Sequence, residues 1–68
     1  MKLAEKIKSK RLELSLRQQE VASRARVSPE YIGKIERGEI TNVGIKTLEK
    51  ILKALGLTLA DIFSNRAA

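Results

Sequence analysis

The sequence predicts an all-α fold of five short helices, and three observations carry that expectation. Apolar residues recur at helical spacing, as in Leu48, Ile51, Leu52 and Leu55 at i, i+3, i+4 and i+7. No segment alternates apolar and polar residues in the manner of a strand. Gly38, Gly44, Gly56 and the single proline fall at the joints between periodic segments, where chains turn.

The elements follow in chain order. "KLAEKIKSKRLEL" predicts a helix over 2–14, with Leu3, Ile7 and Leu14 on one stripe and Arg11 on that stripe too. "RQQEVASRA" predicts a helix over 17–25, and "SPEYIGKIER" one over 28–37. Ser28 can accept from a first-turn amide, Pro29 fits the first helical position, and Glu30 suits the positive end of the dipole. Gly38 ends that helix, and Gly44 or Asn42 caps the next, over 44–55, which Gly56 stops. Thr58 opens a last helix over 58–64, where Leu57, Leu59, Ile62 and Phe63 either close the core or stay exposed for a second copy. In the loop "GEITNVG", Ile40 and Val43 either fold back on the core or form an exposed contact surface.

With 68 residues there is room for one domain around one small core. Cysteine and histidine are absent, which removes disulfides, the common zinc ligands and the neutral-pH proton shuttle. Neither a glycine-rich phosphate loop nor paired carboxylates in a plausible cleft is present, so the expectation is no enzyme, no metal and no cofactor. No apolar run approaches the roughly 18 residues of a membrane span. A soluble, cytoplasmic protein is expected.

The net charge is +6, unevenly placed: residues 1–37 hold ten Lys/Arg and five Glu, a balance of +5. A basic balance can be a solvated surface, but its concentration in one half points to a polyanionic partner. That half also holds a helix-turn-helix pattern. Val21, Ala22, Ala25, Val27, Ile32 and Ile35 occupy the six inward positions of two steeply crossing helices, with small Ala22 where the helices approach most closely. Arg11 and Glu36 both lie on inward stripes, and opposite charges there are tolerated when each neutralises the other.

The segments "KSKRLELSLRQQEVA", "VSPEYIGKIERGE" and "LEKILKALGLTLADIF" together resemble the lambda-repressor-like (Cro/cI-type, XRE) helix-turn-helix family, over roughly residues 3–63. "YIGKIERGEITN" is also similar to controller proteins of restriction-modification systems and to small antitoxins. The resemblance implies a compact five-helix DNA-binding domain with the helix over 28–37 in the major groove. Carried over by position, Ser28, Pro29, Glu30, Gly33 and Lys34 would face base edges. Gln18, Tyr31, Arg37 and Asn42 would contact backbone or sugar, and Arg11 and Glu36 would pair. Arg17 and Arg26 join the phosphate candidates by charge and place, with Arg24, Lys8 and Lys10 as weaker ones. A solvated Glu30–Lys34 pair at i, i+4 is the competing account of two of these residues.

The sequence departs from the family pattern at Ser15, Arg17 and Arg26. Glycine is usual at the first and third, and a Ser/Thr cap at the second. A non-glycine residue in a left-handed elbow costs on the order of 1 kcal/mol, so either the elbow differs or the arginine offsets the strain. The implied activity is a transcriptional regulator of double-stranded DNA, a repressor on a palindromic operator bound by a homodimer. The alternative is an antitoxin or adaptor whose main partner is a protein.

Overall fold

The computed structural model describes residues 3–63, which form α1 (Leu3–Glu13), α2 (Gln18–Ala25), α3 (Pro29–Glu36), α4 (Ile45–Ala54) and α5 (Leu59–Phe63). No strand occurs among them. Helix termini leave backbone groups unpartnered, and here the caps sit one residue outside each helix. Arg17, Ser28 and Gly44 precede α2, α3 and α4, while Arg37 and Leu55 follow α3 and α4. Residues 2 and 64, at the ends of the outer predicted helices, lie outside the described residues, as does the side chain of Phe63.

The first four helices end alike. A residue with positive φ follows each: Ser15 (58°), Arg26 (59°), Gly38 (76°) and Gly56 (73°). The next amide then bonds back into the helix, as in Leu16 to Arg11 (3.0 Å), Val27 to Ala22 (2.9 Å), Glu39 to Lys34 (2.9 Å) and Leu57 to Leu52 (2.8 Å). These bonds satisfy carbonyls that the helix itself cannot. Ser15 and Arg26 therefore adopt the geometry for which glycine is suited, and the elbow keeps its form despite the arginine. Arg26→Gly should stabilise the fold by about 1 kcal/mol, a rise of roughly 4–8 °C in a chain of this size. Thermal unfolding followed by circular dichroism reads it, and an unchanged or lower midpoint would mean that the Arg26 side chain offsets its own strain.

The core is a single cluster. Ile7 of α1, Val21, Ala22 and Ala25 of α2, Ile32 and Ile35 of α3, and Leu48, Ile51 and Leu52 of α4 are buried, with Leu55 behind α4. α2 packs on both α3 and α4, and α1 packs on α3. Ala22 and Ala25 are both fully buried, so no bulk separates α2 from its neighbours. Val27, Ile40, Val43, Leu57, Leu59 and Ile62 are half-buried against this cluster. The loop residues thus fold back on the core rather than forming a free apolar surface.

Leu14 is a correction. It was expected on the inward stripe of α1, but it is 43% exposed. The Leu14 amide still bonds back to the Lys10 carbonyl at 3.0 Å, but α1 ends at Glu13, the chain turns at Ser15, and Leu16 packs against the core in place of Leu14.

Candidate nucleic-acid interface

α3 starts sharply and freely. The Ser28 hydroxyl accepts from the Tyr31 amide at 3.1 Å, and Pro29 follows at the first helical position. Ser28, Pro29 and Glu30 are exposed, while Tyr31 and Lys34 are half-buried. Ile32 and Ile35 point the other way, into the core. α3 thus offers one polar face outward, beginning with an unobstructed first turn. Glu30 and Lys34 form no ion pair within 4.0 Å, so the i, i+4 pairing that competes with a recognition role is not made.

Beneath that face lies a buried polar network. Arg11 Nε donates to Glu36 Oε2 at 2.7 Å and its Nη2 to Oε1 at 3.0 Å, while Nη1 donates to the Leu16 carbonyl at 2.8 Å. Gln18 Nε2 donates to the same Glu36 Oε1 at 3.0 Å. The two charged side chains are only 10% and 3% exposed, so the fork–fork geometry answers the desolvation that burial imposes on both. The network ties α1, the start of α2 and the end of α3 together. It also fixes Gln18, whose second amide hydrogen remains for an external acceptor.

The start of α2 carries a smaller device. The Arg17 amide donates to Glu20 Oε1 at 2.7 Å. An arginine side chain has no acceptor with which to return the bond, so the other first-turn amides of α2 have no side-chain cap. Arg11, Leu16, Arg17, Gln18, Gln19 and Pro29 line one shallow depression. The structure thereby brings the starts of α2 and α3 together.

Two expected site residues stand elsewhere. Arg26 lines a different groove, with Arg24, Lys50, Lys53 and Ala54, because the elbow aims it toward the end of α4. Gly33 was expected to face base edges, but it is buried. The position a Cβ would take there lies 3.0 Å from Arg37 Nη1 and 3.5 Å from Gln18 Oε1, so these side chains cover it. Asn42 is exposed in the loop between α3 and α4, and the start of α4 is capped by Gly44 without a side-chain bond. Among the weaker candidates, Lys10 is engaged by Glu13 at 2.8 Å, and Lys8 is exposed.

Glu39 is the residue that sequence reasoning missed. Its Oε2 accepts from Arg37 Nε at 2.6 Å. That bond raises the Arg37 pKa above the usual arginine value and holds the Glu39 carboxyl below the usual carboxylate range. Both groups are therefore charged at neutral pH. The pairing depends on the turn at Gly38, which folds Glu39 back toward α3, and sequence spacing alone does not announce it.

Comparison with known proteins gives a concordant result. The helix-turn-helix family model HTH_3 matches residues 7–62. The HTH-type transcriptional regulator DdrOP3 of Deinococcus deserti is 36% identical over 65 residues, covering 96% of this chain and 50% of the relative. The clp gene regulator ClgR from Corynebacterium glutamicum superposes with a TM-score of 0.84 at 32% identity, over 91% of this chain and 65% of that one. A point mutant of the restriction-modification controller protein C.Esp1396I gives 0.75 at 28% identity, over 93% and 91%. The chain thus spans half the length of the curated relative it matches.

Proposed function

The chain belongs to the helix-turn-helix family HTH_3, a family of DNA-binding transcriptional regulators rather than enzymes, and from that membership we propose that it represses transcription by occupying a short palindromic operator. The observation that carries this reading is the outward face of α3, whose Ser28–Pro29–Glu30 turn is exposed and starts beside the beginning of α2. A B-DNA major groove admits a helix presented in this way. Ser28, Glu30 and Lys34 then meet base edges, Glu30 as an acceptor for cytosine N4 and Lys34 as a donor to guanine. Pro29 packs closely without donating.

Arg17 and Gln18 rest on a phosphate at the start of α2, where amides and dipole favour an anion. Tyr31 and Asn42 contact backbone or sugar. Arg26, facing the end of α4, contributes at most long-range attraction. One copy reaches only a half-site, so two copies about one helical turn apart (roughly 34 Å) supply the operator's symmetry. Bound in this way, the chain excludes other proteins by occupancy, which requires no further surface.

No helix among the described residues is long and apolar enough to cross a membrane, in keeping with action on DNA. The protein-partner reading would need Ile40, Val43 and the C-terminal apolar residues as a contact surface, and Ile40, Val43, Leu57, Leu59 and Ile62 are half-buried against the core.

Fluorescence anisotropy on a short labelled duplex, repeated across salt concentrations, tests the electrostatic part. The affinity should fall by about 0.9 in log K per log salt for each phosphate neutralised. Binding that hardly changes with salt, on every duplex tried, would overturn the proposal.

A further inference from the structure

Position 33 lies on the outward side of α3 yet has no side chain, and Arg37 fills the gap. In a helix, side chains lean toward the N-terminus, so a residue at i+4 lies over the residue at i. Arg37 does this from the end of α3, bringing Nη1 to 3.0 Å from where a Gly33 Cβ would be. It is then neighbour to Lys34 at i−3 and, one further turn back, to Glu30 at i−7. The guanidinium is held in place through Nε by Glu39 at 2.6 Å. Its terminal nitrogens make no hydrogen bond among the described residues, and the side chain is 56% exposed.

The family resemblance assigns Arg37 to the phosphate backbone. Two physical points speak against that. A phosphate contact is favourable because it neutralises charge and releases counterions, but the Arg37–Glu39 pair is already neutral overall. A fork can grip a phosphate too, but a plane fixed within a pair of no net charge gains little there, whereas the two in-plane acceptors of guanine in the major groove reward it. A carboxylate on Nε fixes the plane and leaves Nη1 and Nη2 as a fork, matching guanine O6 and N7.

Resting on the DNA-binding reading above, we propose that Arg37, steered by Glu39 through the space left open at Gly33, is a specificity-determining residue that reads a guanine in each half-site. Gly33 is then part of the reading surface as the opening through which Arg37 passes.

The test is selection of bound duplexes from a random pool with the unaltered chain and with Arg37→Lys, Arg37→Ala, Glu39→Gln and Gly33→Ala. The unaltered chain should enrich one invariant guanine per half-site. Arg37→Lys, which keeps the charge but not the planar fork, should weaken the guanine preference with the salt slope nearly unchanged. Arg37→Ala should lose that guanine, with binding to the selected duplex about tenfold to a hundredfold weaker and a lower slope, because the Glu39 carboxylate is then uncovered. Glu39→Gln, which unmasks the arginine's charge, should weaken the guanine preference and steepen the salt slope. Gly33→Ala, whose methyl meets the guanidinium tip, should weaken the preference in a folded protein. The exposed positions of Arg37 and Glu39 keep those variants folded, which circular dichroism checks. The proposal is overturned if Arg37→Ala weakens every duplex equally and leaves the selected sequence intact, or if Arg37→Lys leaves the guanine preference unchanged. Failure of the unaltered chain to enrich any duplex would instead overturn the DNA-binding reading beneath it.

Discussion

Arg11→Ala should leave about half of the molecules unfolded at 25 °C. Glu36 is 3% exposed and receives three hydrogen bonds, two from Arg11 and one from Gln18. Removing Arg11 strands a buried carboxylate with one neutral donor, and breaking such a pair from one side costs about 3–5 kcal/mol. A single-core chain of this size has a total stability of about that amount. The Leu16 carbonyl loses its Arg11 donor as well. Urea unfolding followed by circular dichroism should show the loss. The double variant Arg11→Met/Glu36→Leu should recover most of it, because apolar residues of similar volume replace both charges together. A cost below about 1 kcal/mol for Arg11→Ala would show that α1 is not fastened to α3 through this pair.

The second large effect concerns sequence reading. Glu30→Ala combined with Lys34→Ala removes one negative and one positive charge, so the net charge of +6 is kept. Neither residue is in the buried core, and neither is ion-paired to the other. Alanine favours the helix, so the fold should persist. Each good base contact is worth about 1–3 kcal/mol of discrimination, so preference for the operator over random duplex should fall by about a hundredfold. Affinity for random duplex and its salt slope should hardly move. Competition binding with operator and scrambled duplexes reads both quantities. Equal loss on both duplexes would assign Glu30 and Lys34 to the phosphates, and no loss on either would remove them from the interface.

How much of this the sequence announces depends on how local the cause is. The stripe of Leu48, Ile51, Leu52 and Leu55 is a property of one helix, and its members are all buried. Ser28 and Pro29 act within their own turn, and the hydroxyl accepts the first-turn bond that their chemistry suggests. Arg11 and Glu36 stand out because a charge on an inward stripe needs an answer, and they lie 2.7 Å apart. Features that depend on how the chain exits a helix are less legible. Leu14 fits the periodicity of α1 but falls just beyond its end and is exposed, while Leu16, past the turn at Ser15, packs on the core. Arg26 keeps the elbow shape but is aimed at the end of α4, which only the packing of α2 on α4 decides. Gly33 appears outward on a helical wheel, yet a wheel shows nothing of the Gln18 and Arg37 side chains that cover it. Glu39 joins Arg37 only after Gly38 has reversed the chain.

Intermolecular nuclear Overhauser contacts between this 68-residue chain and a bound duplex test the central claim most directly. If α3 lies in the major groove, protons of Pro29, Glu30 and Lys34 will show contacts to cytosine H5 and thymine methyl protons, which that groove exposes. Contacts from these residues to adenine H2 in the minor groove, or contacts to the duplex only from α4 and α5, would contradict it.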